Sequence, residues 1–158
     1  MELEDQIIKV KKPNQNLLYN LEKTYSEIVQ NFNYTLVQSP LFLCFKKPES
    51  QIGIEIQFGG EKAILESLEK LVKSDSDICF LITSSKTPGP SLNQIKTMLL
   101  TKFSIKNQKY VIVDIETGRA IKIDEAIKKF FSVVNRPDWA KAPPPPPPPL
   151  FKKSKKVK

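Results

Sequence analysis

The chain has 158 residues, 40% of them hydrophobic, with two cysteines and no histidine. That length suits one domain with a modest core, and the missing histidine excludes Cys/His zinc sites as well as Ser-His-Asp and Cys-His catalysis. The net charge of +8 is unevenly spread: six lysines and no acid fall in 141–158, which leaves 19 basic against 17 acidic residues in 1–140, so the basicity belongs to the tail.

The first dozen residues mix acids and lysines and lack an apolar h-region, so no secretory signal is predicted. Residues 14–32 are predicted as the first helix, because Leu17, Leu18, Leu21, Tyr25, Ile28, Val29 and Phe32 form one apolar stripe. Asn14, after Pro13, is its predicted cap. A short strand is expected at 34–37, closed by Ser39-Pro40. Residues 41–45 are apolar throughout, as in a strand buried on both faces. Pro48, Glu49 and Ser50 then suit a hairpin turn into a strand at 52–58.

Gly59-Gly60 turns the chain into a helix over 61–73, with Ile64, Leu65, Leu68, Leu71 and Val72 as its apolar face. A second fully apolar strand follows at 77–83. Ser91 and Gln94 fit a capping box for a helix over 92–103. A strand at 110–115, a turn at Thr117-Gly118, a strand at 120–123 and a last helix capped by Asp124 complete the body. The order of elements, three meandering strands and then a βαβαβ section, predicts an α/β fold with a mixed central sheet flanked by helices.

Both cysteines, Cys44 and Cys79, lie inside apolar runs and read as small buried hydrophobes of a reducing compartment. No stretch of about 18 apolar residues exists to form a transmembrane helix. The expected setting is therefore intracellular, cytoplasmic or nucleoid-associated.

The polar letters of the strand at 52–58 carry the chemistry. Side chains alternate along a strand, so Gly53, Glu55 and Gln57 share one face and Ile52, Ile54, Ile56 and Phe58 the other. A carboxylate beside an amide on a core strand needs a partner, because burying an unpaired charge is costly. The same alternation also suits the polar face of an edge strand.

The strand Glu55-Ile56-Gln57, the Phe58-Gly59 turn after it and the element order over roughly 14–123 together resemble the PD-(D/E)XK, or restriction-endonuclease-like, superfamily in a degenerate Glu-x-Gln form. The resemblance implies an αβββαβαβ core in domain 1–140 and, if active, phosphodiester cleavage as a divalent-metal-dependent endodeoxyribonuclease. Mg2+ or Mn2+ would polarise the phosphoryl group and acidify a bound water. Glu55 would ligate the metal, with Glu22 or Glu49 supplying a second carboxylate. Gln57 would position the water, and Lys62 would reach across in place of the family's strand lysine. The family's aspartate before the preceding strand has no counterpart at Ser39-Pro40-Leu41. The resemblance therefore points to a degenerate nuclease scaffold as well as to an enzyme.

Residues 141–158 form a polyproline and lysine-rich tail. Seven prolines at 143–149 favour a stiff polyproline II rod, and a segment of this composition is predicted to be disordered alone. Lys152, Lys153, Lys155, Lys156 and Lys158 are the candidate nucleic-acid-binding residues, since lysine runs attract phosphate backbones without sequence selectivity. Recruitment of a protein partner through the polyproline is the competing use. A homodimer is compatible with the family, though no residue marks an interface.

Overall fold

In the computed structural model, residues 2–104 and 107–124 are described. Helix α1 spans Leu3–Ile8 and α2 Leu17–Gln30. Strands β1 (Thr35–Leu36), β2 (Leu43–Lys47) and β3 (Ser50–Ile56) follow. Next come α3 (Glu61–Lys73), β4 (Ile78–Thr83), α4 (Leu92–Lys102), β5 (Lys109–Asp114) and β6 (Arg119–Ile123). The six strands form one sheet in sequence order. The β1–β2, β2–β3 and β5–β6 pairs are antiparallel, while β3, β4 and β5 run parallel. The molecule is thus α/β with a mixed six-stranded sheet, as the element order predicted.

Alternation along the strands splits the sheet into two apolar faces. Phe45, Ile52, Ile54, Phe80, Ile82, Val111 and Val113 gather with Ile7 of α1 and with Leu21, Tyr25 and Val29 of α2. Those three α2 residues are spaced by four, so they lie in one row down the helix. The opposite face carries Cys79, Leu81, Tyr110 and Ile112, and α3 and α4 pack on this half of the sheet with Ile64, Leu68, Leu71, Ile95 and Leu99 buried. Each such leucine or isoleucine contributes about 1.5–3 kcal/mol by leaving water.

Local signals explain most boundaries. Helix α3 starts and stops where its apolar spacing does. Ser91 and Gln94 form the capping box in full: the Ser91 hydroxyl accepts from the Gln94 N–H and the Gln94 amide oxygen accepts from the Ser91 N–H. Gly118 turns the β5–β6 hairpin with φ +77°, a conformation that favours glycine.

Four elements depart from the sequence expectation, one of them β3, which runs over Ser50–Ile56 and so starts and ends two residues before the expected 52–58. Helix α1 was not foreseen. It is held by the buried Ile7 and by Glu4, which pairs with Lys109 at 2.7 Å and Lys122 at 3.2 Å on the β5–β6 edge. Helix α2 begins at Leu17, not 14, and its N-cap is Asn16 in a left-handed conformation without a side-chain cap. Strand β2 begins two residues late, because the Ser39 hydroxyl accepts from the Leu41 N–H and holds that stretch as a turn. Both cysteines are buried and free, and burial pushes the Cys79 thiol up to about 12. Among the described residues no helix is long and apolar enough to cross a membrane. The helix expected after Asp124, the polyproline and the tail lysines lie outside the described residues.

Candidate functional site

The carboxyl ends of β3, β4 and β5 lie side by side, because the three strands run parallel. Glu55 pairs in register with Leu81, and Thr83 with Asp114, which is itself opposite Arg119. Gln57 lies one step beyond the last β3–β4 pair, with its N–H on the Ile82 carbonyl at 2.9 Å. Register therefore lines up Gln57, Thr83, Asp114 and Arg119 across four strands, on the face covered by α3 and α4.

Glu55 is 4% exposed, and its carboxylate accepts the Phe42 N–H at 2.6 Å. Leu43 pairs with Ile54, so Phe42 stands opposite Glu55 just past the end of the ladder. The side chain extends the strand pairing by one bond where β2 has already turned away. A charge-assisted bond of this kind is shorter and stronger than a neutral one. Gln57 is also committed: its amide oxygen accepts the Gly59 N–H at 2.9 Å and its amide nitrogen donates to the Ser67 hydroxyl of α3 at 3.4 Å. The pair therefore clamps the β3–α3 turn and the start of β2.

The other predicted site residues do not join Glu55 in one group. Glu22 is exposed on α2, where it borders a cavity of about 710 Å³ with residues of the β1–β2 connection. Glu49 sits in the β2–β3 turn, at the other end of β3 from Glu55, about 20 Å away at the strand rise. Lys62 is exposed in the first turn of α3. Among the described residues no three Asp, Glu, Cys or His side chains gather to hold a metal ion. The tail lysines are outside the described residues.

The β4–β5 end is organised by two carboxylates that the sequence reading passed over. Asp114 accepts the Ser85 N–H at 3.0 Å, the Glu116 N–H at 3.1 Å and the Thr117 hydroxyl at 2.9 Å. Burial would raise its pKa, but the hydrogen bonds from Ser85, Thr117 and Glu116 outweigh burial and hold the carboxyl below its ordinary range. Glu116 accepts the Ser84 hydroxyl and the Lys12 ammonium, the latter at 2.8 Å. The Lys12 bond and then the Ser84 bond lower its pKa.

Between the β4–α4 loop, the α4 N-terminus and the β5–β6 hairpin lies a cleft of about 490 Å³, bordered by Thr83, Ser85, Asn93, Asp114 and Arg119 among others. Gly89 closes one side: a side-chain carbon there would lie 2.9 Å from the Gly59 carbonyl oxygen, so the loop rests directly on the β3–α3 turn. For the Asp114 carboxylate the sequence signal was an acid closing a strand three residues before a Thr-Gly turn. Its meaning depends on strand register. Comparison with protein-family models, characterised proteins and solved structures gives no match.

Proposed function

We propose that this protein is a nucleic-acid-associated scaffold with a restriction-endonuclease-like αβββαβαβ core, in which Glu55 and Gln57 hold the strand edge together and the lysines of 152–158 supply the contact with nucleic acid. The single observation that carries the reading is the Phe42 N–H to Glu55 bond at 2.6 Å. It commits the carboxylate to β2 at the place where the related enzymes bring a second acid. A core of three antiparallel strands followed by parallel strands in sequence order further supports the kinship. The lysine run gives the scaffold a polyphosphate-binding arm.

The test uses the full chain. Fluorescent duplex and single-stranded DNA are titrated at increasing salt, against a variant with Lys152, Lys153, Lys155, Lys156 and Lys158 all changed to Gln. The expected result is salt-dependent binding whose log–log slope shrinks by up to about 4 in the variant, close to one unit per lost phosphate contact. Unchanged binding in the variant overturns the role of the tail. Incubating the same DNAs with Mg2+ or Mn2+ is expected to leave them intact. Cleavage that disappears in Glu55→Gln would overturn the scaffold reading in favour of an active nuclease.

A further inference from the structure

We propose that the cleft bordered by Thr83, the α4 N-terminus and Arg119 binds the phosphate monoester of a nucleotide-sized ligand. The volume, about 490 Å³, falls within the range of small-molecule sites, and the cleft lies at the carboxyl ends of β4 and β5. The choice of ligand rests on which polar groups around the cleft are already in use.

The nearby carboxylates are engaged. Both Asp114 oxygens are bonded within the loops, and Glu116 is bonded to Ser84 and paired with Lys12. Donors remain. Thr83 is 7% exposed and borders the cleft, and its hydroxyl bonds to none of the described residues. That leaves the hydroxyl accessible from the cleft and free to donate to a group that enters it. The capping box uses the N–H groups of Ser91 and Gln94, and among the described residues nothing accepts from those of Leu92 and Asn93. These two sit at the positive end of an 11-residue helix. The Arg119 guanidinium is exposed and makes no ion pair or hydrogen bond with a described residue.

A hydroxyl, a helix end and a guanidinium thus reach the cleft from three elements, and the acid on its lining, Asp114, is already engaged by three hydrogen bonds. A phosphate monoester offers one acceptor-rich, doubly charged group to all three. None of the tail lysines is among the residues invoked for the cleft, so the proposal stands or falls independently of the scaffold reading.

Calorimetric titration of the full chain at low salt tests it, with adenosine 5′-monophosphate, adenosine and inorganic phosphate as probes. The monophosphate is expected to bind saturably and adenosine not to bind. Arg119→Gln, at an exposed position, should weaken the monophosphate about tenfold by removing a charge-assisted contact. Thr83→Val, which keeps the side chain's shape, should weaken it roughly threefold. The five-lysine tail variant should bind as well as the parent. Competition by a 5′-phosphorylated oligonucleotide would identify a strand end as the source of the phosphate, and no competition would identify the free nucleotide. Thermal melts confirm that both cleft variants fold. No saturable binding, equal binding of adenosine, or a monophosphate affinity unchanged in both cleft variants overturns the proposal.

Discussion

At the β3 end of the sheet's carboxyl edge, Glu55 and Gln57 are turned inward and bonded to the Phe42 N–H, the Gly59 N–H and the Ser67 hydroxyl. At the β4–β5 end, two strands away, Asp114 and Glu116 are just as heavily bonded, but to loops that stand apart and leave a cleft. Carboxylates at both ends are structural in the same sense, since each replaces backbone pairing that the strands no longer supply. The difference lies in what surrounds them. Around Glu55 the bonds draw β2, β3 and α3 together, whereas around Asp114 they brace the rim of an opening whose other donors are unspent. A motif-bearing position can thus be closed, and a position with no motif can be open.

Removing the brace should have the largest effect. Asp114→Ala leaves two backbone N–H groups and a hydroxyl without their acceptor, at a cost of about 3 kcal/mol if each bond is worth its usual net amount. Thermal unfolding should shift down by roughly 10 °C for a domain of this size. Asp114→Asn retains one acceptor oxygen for the two N–H groups and should lose less than half as much. Equal losses in the two variants would show that charge, and not hydrogen-bond geometry, braces the cleft.

The β3 end should respond more weakly, because one bond is at stake in place of three. Glu55→Ala is expected to cost about 2 kcal/mol by stranding the Phe42 N–H, and Glu55→Gln, which keeps a carbonyl acceptor, about half of that. Denaturant melts with unchanged m-values measure both. A Glu55→Ala protein as stable as the parent would break the comparison, since the carboxylate would then be free for other chemistry.

How much of this was legible follows from how local each cause is. Helix α3, the Ser91–Gln94 box and the Thr117-Gly118 turn are set by residues within a few positions of one another, and the chain states them outright. Helix α1 was not legible, because Leu3, Ile7 and Ile8 among charged neighbours make too short a stripe and Glu4 finds its lysines 105 and 118 positions away. The alternation correctly put Glu55 and Gln57 on one face, but the partner of Glu55 is a backbone amide, which no side-chain letter announces. The polar row of Gln57, Thr83, Asp114 and Arg119 depends on the register of three strand pairs and on Gln57 running one step past its own. Their spacing of 26, 31 and 5 residues has no periodicity to detect.

Acid should separate the two ends with the smallest perturbation. Asp114 and Glu116 both titrate below the ordinary carboxylate range in the folded chain. Glu4 does too, because its bonds to Lys109 and Lys122 outweigh the opposing effect of burial. A carboxylate whose folded pKa is depressed stabilises the fold fully above its unfolded value, near 4, and that contribution drains away as pH falls through the folded value. Stability should therefore be flat from neutral pH to about 5 and decline below about 4. Amide exchange should report where the decline starts. The Ser85 and Glu116 N–H groups, whose acceptor is the Asp114 carboxylate, should lose protection at a higher pH than the Ile52 and Ile54 amides in the middle of β3. In Asp114→Asn the acid decline should be shallower, because a neutral amide has no proton to take up. An acid limb as steep in that variant as in the parent would place the sensitive carboxylates elsewhere, with Glu4 at the α1 contact as the next group to change.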